Sequence, residues 1–315
     1  VAALSEGVRQ VETMRTQFGA TRVAEFMAAV HDNAAGCVRR ALRGRKGGRA
    51  AIELDNGLVI RVRVTVDGDH AHIDFTGSSA QHAGNFNAPL AVTRAAVLYV
   101  LRTLVDHDIP LNDGCLAPVT LTVPEGSFLN PAAPAAVVAG NVETSQCVTN
   151  ALYAALGVMA HAQGTMNNLT FGNDAVQYYE TIAGGTGAGA AFDGADAVQS
   201  HMTNSRLTDT EVLEARLPVR VVTFHIRRGS GGGGTYRGGE GVVRELLMTE
   251  PVTVSILSGF HTFDNPICEP IVPPQRLCIT LRYLAILVYC FPSMQEAIQS
   301  KPMHYRHIKQ KRNTS

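Results

Sequence analysis

IRVRVTVDGDHAHIDF, residues 60–75, is the stretch that decides the fold. Residues 60–66 alternate apolar and polar at period two, and 70–75 continue the pattern. That period puts every second side chain on one face of a strand. Asp67-Gly68 between them is a β-hairpin turn signal. Upstream, Leu4, Val8, Val11 and Met14, then Val23, Phe26, Met27, Val30 and Val38, recur at helical spacing, predicting two helices joined at Gly19. Downstream, 89–106 reads as a helix opened by Pro89 and 118–123 as a strand. An apolar helix covers 144–161, with Thr144 or Ser145 as its cap. Strands are predicted at 175–183 and 219–226, and Asp209 with Glu211 and Glu214 marks a helix start. Helices and strands alternate without βαβ regularity. The fold class expected is α+β, with mixed sheets and packed helices, rather than a doubly wound sheet.

The 315 residues suit one large domain or two small ones, and 45% hydrophobic content supplies a core. Net charge is zero, which argues against a nucleic-acid partner or an anionic membrane surface. The opening lacks a cationic segment followed by an apolar one, so no signal peptide is read. Six cysteines lie apart without a CxxC pair, so neither a zinc ribbon nor a disulfide framework is expected, and the compartment read is the cytoplasm. A start at Val1 rather than Met reads as a fragment. All 30 glycines precede Phe260. Residues 1–258 are therefore read as one module and 259–315 as an unrelated-looking tail, aberrant or disordered. Its run LCITLRYLAILVYCF (277–291) is short for a membrane span and carries Arg282; the plain reading is a buried helix or strand.

Glycine is dense between Tyr178 and Gly241, in GGTGAG (184–189) and GSGGGG (229–234). Such loops mean positive φ or close backbone approach. A P-loop is excluded, because no lysine lies between Lys46 and Lys301. A dinucleotide fingerprint fails too, since Ala190 stands where its third glycine belongs. Between the loops, His201, Asn204, Arg206 and Asp209 cluster, and His is the natural acid or base near neutral pH. Glu180 lies inside a strand between Tyr179 and Thr181, facing either solvent or a pocket that raises its pKa. Asn85 and Asn87 precede a helix, as cap and turn residues or as ligand donors. Asn141, Glu143, Thr144, Ser145 and Gln146 crowd one turn before another helix, with Cys147 next; that thiol is either activated at the helix start or packed and inert. Asn167, Asn168 and Asn173 follow. His70 and His72 share a strand face, as exposed hairpin residues or metal ligands.

The stretches DFTGSS (74–79), GNFNAP (84–89), GNVETSQ (140–146), GTMNNLTFGN (164–173), YYETIAGGTGAG (178–189), HMTNSRLTDTEVLEARLPV (201–219) and RRGSGGGGTYRGGEGVVREL (227–246) together resemble the hydantoinase B/5-oxoprolinase family. The resemblance covers about residues 1–258. It implies a hydantoinase B-like module, the hydrolytic half of an ATP-dependent enzyme that opens 5-oxo-L-proline to L-glutamate. Other readings are a hydantoinase B or acetone-carboxylase-like subunit, or an inactive fragment that acts as an interaction partner. It further implies ATP on a companion hydantoinase A-like domain or subunit, a small lactam as substrate, a homo-oligomer and room for a divalent metal. By motif position, His201 is the expected acid or base, Asn204 and Arg206 its orienting neighbours, and Glu180 a candidate base. Asn85, Asn141 and Asn168 are expected donors to substrate, with Gly185 and Gly187 bringing backbone N–H groups to an anion. The family also implies a His- and Asp-bearing segment ahead of Val1 and a glycine-rich end beyond Ser258.

Overall fold

The computed structural model describes residues 2–260, and beyond them the backbone of 276–280 and 284–289. The hairpin read at 60–75 is present. β1 (Arg49–Glu53), β2 (Val59–Asp67), β3 (His70–Asp74) and β4 (Val119–Thr122) form one sheet in that order. β1, β2 and β3 pair antiparallel; β4 joins β3 parallel. The alternation lands as expected. Ile60, Val62, Val64, Ala71 and Ile73 are buried, while Arg61, Arg63, Thr65, His70 and His72 face solvent. The buried face packs with α3 (Leu90–Thr103) and α4 (Ser145–Leu156) around Phe75, Val97, Leu101, Val148 and Leu152. Each such side chain contributes roughly 1.5–3 kcal/mol by burial. A charge at Val62 would disrupt this face, because the chain cannot slip one residue without exposing the whole set.

Two helices precede the sheet. α1 (Ala2–Phe18) and α2 (Ala20–Leu42) meet at Gly19, whose φ of 85° suits glycine. The spacing located both helices, but not their burial. α1 buries nothing, and only the last turns of α2, from Ala34 to Leu42, reach the core.

The second half carries a separate core. β5 (Asn168–Gly172), β6 (Gln177–Thr181) and β9 (Thr253–Leu257) form an antiparallel sheet with β5 central. β7 (Val219–Ile226) pairs antiparallel with β8 (Val242–Met248), which takes the backbone of β11 (Leu284–Tyr289) in parallel, followed by β10 (Arg276–Thr280). α5 (Thr210–Arg216) starts where the acidic cluster placed it: the Asp209 carboxylate accepts from the N–H groups of Glu211 and Val212. Leu169, Phe171, Ile182, Leu213, Val219, Leu246 and Met248 form this core.

The region read as a helix over 144–161 differs. A π-helical turn, Gly140–Thr144, leads into α4, which ends at Leu156 because Gly157 is left-handed. Thr144 and Ser145 are not caps. Their hydroxyls donate to the carbonyls of Phe86, at 2.6 Å, and Asn141. Pro89 flanks α3 rather than standing in its first turn. Within 277–291, two strands replace a single element; the rest of the tail expectation lies outside the described residues. Among the described residues no helix is long and apolar enough to cross a membrane.

Candidate functional site

Every residue of α4 except Ala154 is buried, so the groups at its start are drawn into the interior. Glu143, in the π-helical turn, is 2% exposed. Its Oε1 accepts from Thr165 Oγ1 at 2.6 Å and Asn168 Nδ2 at 3.4 Å. No cation among the described residues pairs with it. Burial therefore pushes the carboxyl well above the usual range, against the smaller pull of the Thr165 hydroxyl and the Met166 backbone N–H, with Asp55 adding to the rise.

A lattice of buried amides surrounds this turn. Asn168 donates to Leu257 O at 3.0 Å and accepts from the Tyr179 hydroxyl at 2.5 Å. Asn167 donates to Gln163 Oε1 and Ile182 O and accepts from the Ser258 hydroxyl. Gln146, one turn after Glu143, donates to Ser200 O and to Thr203 Oγ1. Gln199 donates to the carbonyl and hydroxyl of Thr181, each at 3.0 Å. Within this lattice some atoms lack partners. Gln146 Oε1, Gln163 Nε2, Gln199 Oε1, Ser200 Oγ and His201 Nε2 are buried with no hydrogen bond among the described residues. Buried polar atoms are nearly always paired, so a cluster of unpaired ones on neighbouring segments marks a place that takes a ligand or water.

His201 stands at the edge of the lattice with a φ of 55°. Its ring lies 5.3 Å from that of Tyr153 and 6.0 Å from that of Tyr99. Burial lowers its pKa to about 4, so the imidazole is neutral at pH 7.

The other expected site residues are distributed unevenly. Asn168 is in the lattice. Asn85 is half-buried and Asn141 exposed, and neither side chain makes a hydrogen bond among the described residues. Asn204 and Arg206 are exposed and reach no partner on His201, so an orienting role through direct contact is not seen. Glu180 does not face an open pocket. Its carboxylate takes Arg244 Nε at 2.8 Å, Arg244 Nη2 at 3.1 Å and the Tyr178 hydroxyl at 2.9 Å. Both oxygens of this carboxylate are engaged by structural donors. Gly185 and Gly187 are required by chain-to-chain approach: a Cβ would strike Gly239 O at the first and Ala160 O at the second. Neither has positive φ.

The remaining motifs take structural partners. Asn87 is no cap: its amide donates to the carbonyls of His82, Gly84 and Ala136 and accepts from His82 N–H. His72 bonds Thr122 Oγ1 and His70 pairs with Asp69. Burial drives the Cys147 thiol well up, with Glu143 adding to it, so helix-start activation does not operate. Among the described residues no three His, Cys, Asp or Glu side chains converge as metal ligands.

Sequence reasoning passed over Gln163, Gln199 and Arg244 as site residues, and quoted Glu143 and Gln146 without a role. Arg244 carried a usable signal. It shares one face of β8 with Val242, Leu246 and Met248, so an arginine at a core position required a buried partner.

A family model described as hydantoinase B/oxoprolinase matches residues 1–266. The 5-oxoprolinase 1 of Arabidopsis thaliana is 47% identical over 276 residues, covering 82% of this chain and 22% of that protein. The chain thus spans about a fifth of that relative's length. Among solved structures, an ATP-dependent caprolactamase from Pseudomonas jessenii superposes with a TM-score of 0.61 at 24% identity, covering 76% of this chain and 46% of that one. A nucleotide-free acetone carboxylase gives 0.63 at 21% identity, covering 74% and 36%. At these identities the two structures establish a shared fold.

Proposed function

The chain belongs to the hydantoinase B/oxoprolinase family, and from that premise we propose that it is the hydrolytic part of an ATP-dependent 5-oxoprolinase, opening 5-oxo-L-proline to L-glutamate. The observation that carries this reading is the neutral His201 imidazole, with a buried unpartnered Nε2, at the edge of an amide-lined polar centre.

An amide is a poor electrophile, so ATP serves to activate the lactam carbonyl. With no lysine between Lys46 and Lys301, this chain has no conventional phosphate loop. ATP is assigned to a hydantoinase A-like companion, domain or subunit. What remains for this chain is to orient the ring and manage protons. His201 Nε2, in the tautomer with its proton on Nδ1, accepts a proton from the attacking water. Glu143, whose carboxyl is raised well above the usual range by burial, is assigned the role of proton donor. Glu180 and Arg244 hold β6 against β8 and thereby position the 199–203 segment, which bonds β6 through Thr181. Asn204 and Arg206 are assigned to the exposed rim. The module is assigned to residues 1–258, working in the cytoplasm as a homo-oligomer, with 259–315 outside it.

The test combines this chain with a separately made ATP-binding half, ATP and 5-oxo-L-proline, and follows glutamate. His201→Ala lowers release by about 10²–10⁴-fold, the usual worth of a general base. Unchanged turnover removes His201 from the chemistry. The likeness to an acetone carboxylase favours a second reading, a carboxylase-type subunit. Acetone- and bicarbonate-dependent ATP consumption without glutamate release would select it.

A further inference from the structure

Three glutamines of the polar centre present free atoms whose chemical identity is fixed by what the other end of each amide does. Gln146 Nε2 donates to Ser200 O, so the nitrogen cannot be exchanged with the oxygen, and the free atom is an acceptor. Gln199 Nε2 donates to Thr181 O, so its free Oε1 is again an acceptor. Gln163 Oε1 takes the amide of Asn167, which also donates to Ile182 O, so the free Nε2 is a donor. Amide orientation follows from the network it joins.

These residues belong to one connected set of segments. Gln146 reaches across to Ser200, next to Gln199. Val198 bridges Gly184, and a Cβ on Gly184 would strike Gln163. Gln146 and Gln163 are each 1% exposed, and Ser200 is 6% exposed. The free set is thus acceptor, donor, acceptor, with the Ser200 hydroxyl able to act as either.

We propose that Gln146, Gln163 and Gln199 read the N–H and C=O edge of a secondary amide held cis in a small ring, and so set the specificity of this site for unsubstituted lactams. The inference rests on the lactam-opening reading above and deepens it. Gln163 Nε2 donates to the ring carbonyl oxygen, and Gln146 or Gln199 Oε1 accepts from the ring N–H. A carboxylate offers no N–H, a lactone none either, and an N-alkylated lactam loses it. A site built to bond an N–H rejects analogues lacking it, because its own buried acceptor is left unpaired.

The test is calorimetric titration of the whole chain with 5-oxo-L-proline and its N-methyl derivative. The expected result is binding of the parent and at least about tenfold weaker binding of the N-methyl compound, the scale of one unpaired buried group. Gln163→Met weakens the parent by a similar factor. In the double variant Gln146→Met with Gln199→Met, the penalty for N-methylation shrinks to within about threefold, since no acceptor remains to be stranded. Equal affinity for both ligands in the folded wild-type chain overturns the amide-edge inference and leaves the lactam-opening reading standing. Absence of binding by either ligand overturns both. The ligand comparison in the wild-type chain needs no substitution, so a poorly folding variant does not shelter the proposal.

Discussion

Glu180 and Glu143 are 3% and 2% exposed, yet one is balanced and the other is not. Glu180 on β6 faces Arg244 on β8, both side chains 1% exposed, with the guanidinium lying 5.1 Å from the Phe224 ring centroid. Charge meets charge, and the pair ties two sheets together. Glu143 meets neutral donors, a threonine hydroxyl, an asparagine amide and the Met166 backbone N–H. The same loss of water therefore leads to different results. Opposite charge converts burial into a structural clamp, whereas with neutral donors burial raises the Glu143 carboxyl well above its usual range. The first region builds; the second is the one assigned to proton chemistry.

Removing the clamp is the strongest challenge to this contrast. Arg244→Leu strands the Glu180 charge and is expected to cost about 3–5 kcal/mol, read by urea denaturation. Adding Glu180→Leu recovers most of that loss. An unchanged midpoint in the single variant would mean that Glu180 and Glu143 do not differ as described. A smaller effect comes from Thr165→Val, which removes the shortest donor to Glu143 and is expected to cost about 1–3 kcal/mol in the same measurement.

The pH dependence sharpens the comparison further. A carboxyl with a raised folded pKa lends stability that is complete below the ordinary value of 4.5 and erodes as pH rises through the raised value. Glu143→Gln stays neutral, so its melting temperature gains on the wild type steadily above pH 4.5. A constant difference across the series would remove the shift at Glu143. His201 acts with the opposite sign. Its pKa falls from 6.5 to about 4, so its contribution is present above pH 6.5 and lost as pH falls through 4. His201→Phe is expected to flatten that acid arm in thermal melts; a melt profile that keeps the full acid arm would contradict it.

The readable parts of the chain were those governed by short-range rules. Period two at 60–75 located a hairpin and its buried face. Gly19 separated two helices, and Asp209 marked the start of α5. The site was less legible. Glu180 attracted attention as an isolated carboxylate in a strand, and only its partner 64 residues later shows why it is there. Asn87 resembled a cap and is instead a buried tie to Ala136. Glycines at 185 and 187 resembled an anion cradle, yet they let their one loop press against both Gly239 and Ala160.

The sequence by itself determined the α+β class, the hairpin and its buried face, the lack of a lysine phosphate loop in the central body and the family. Each depends on residue type, spacing or short-range backbone preference, which survive without knowledge of distant neighbours. Tertiary structure alone decided which carboxylate met a guanidinium and which amide atoms were left without partners. Those outcomes depend on desolvation and on contacts between segments far apart in the chain, and no local pattern encodes either.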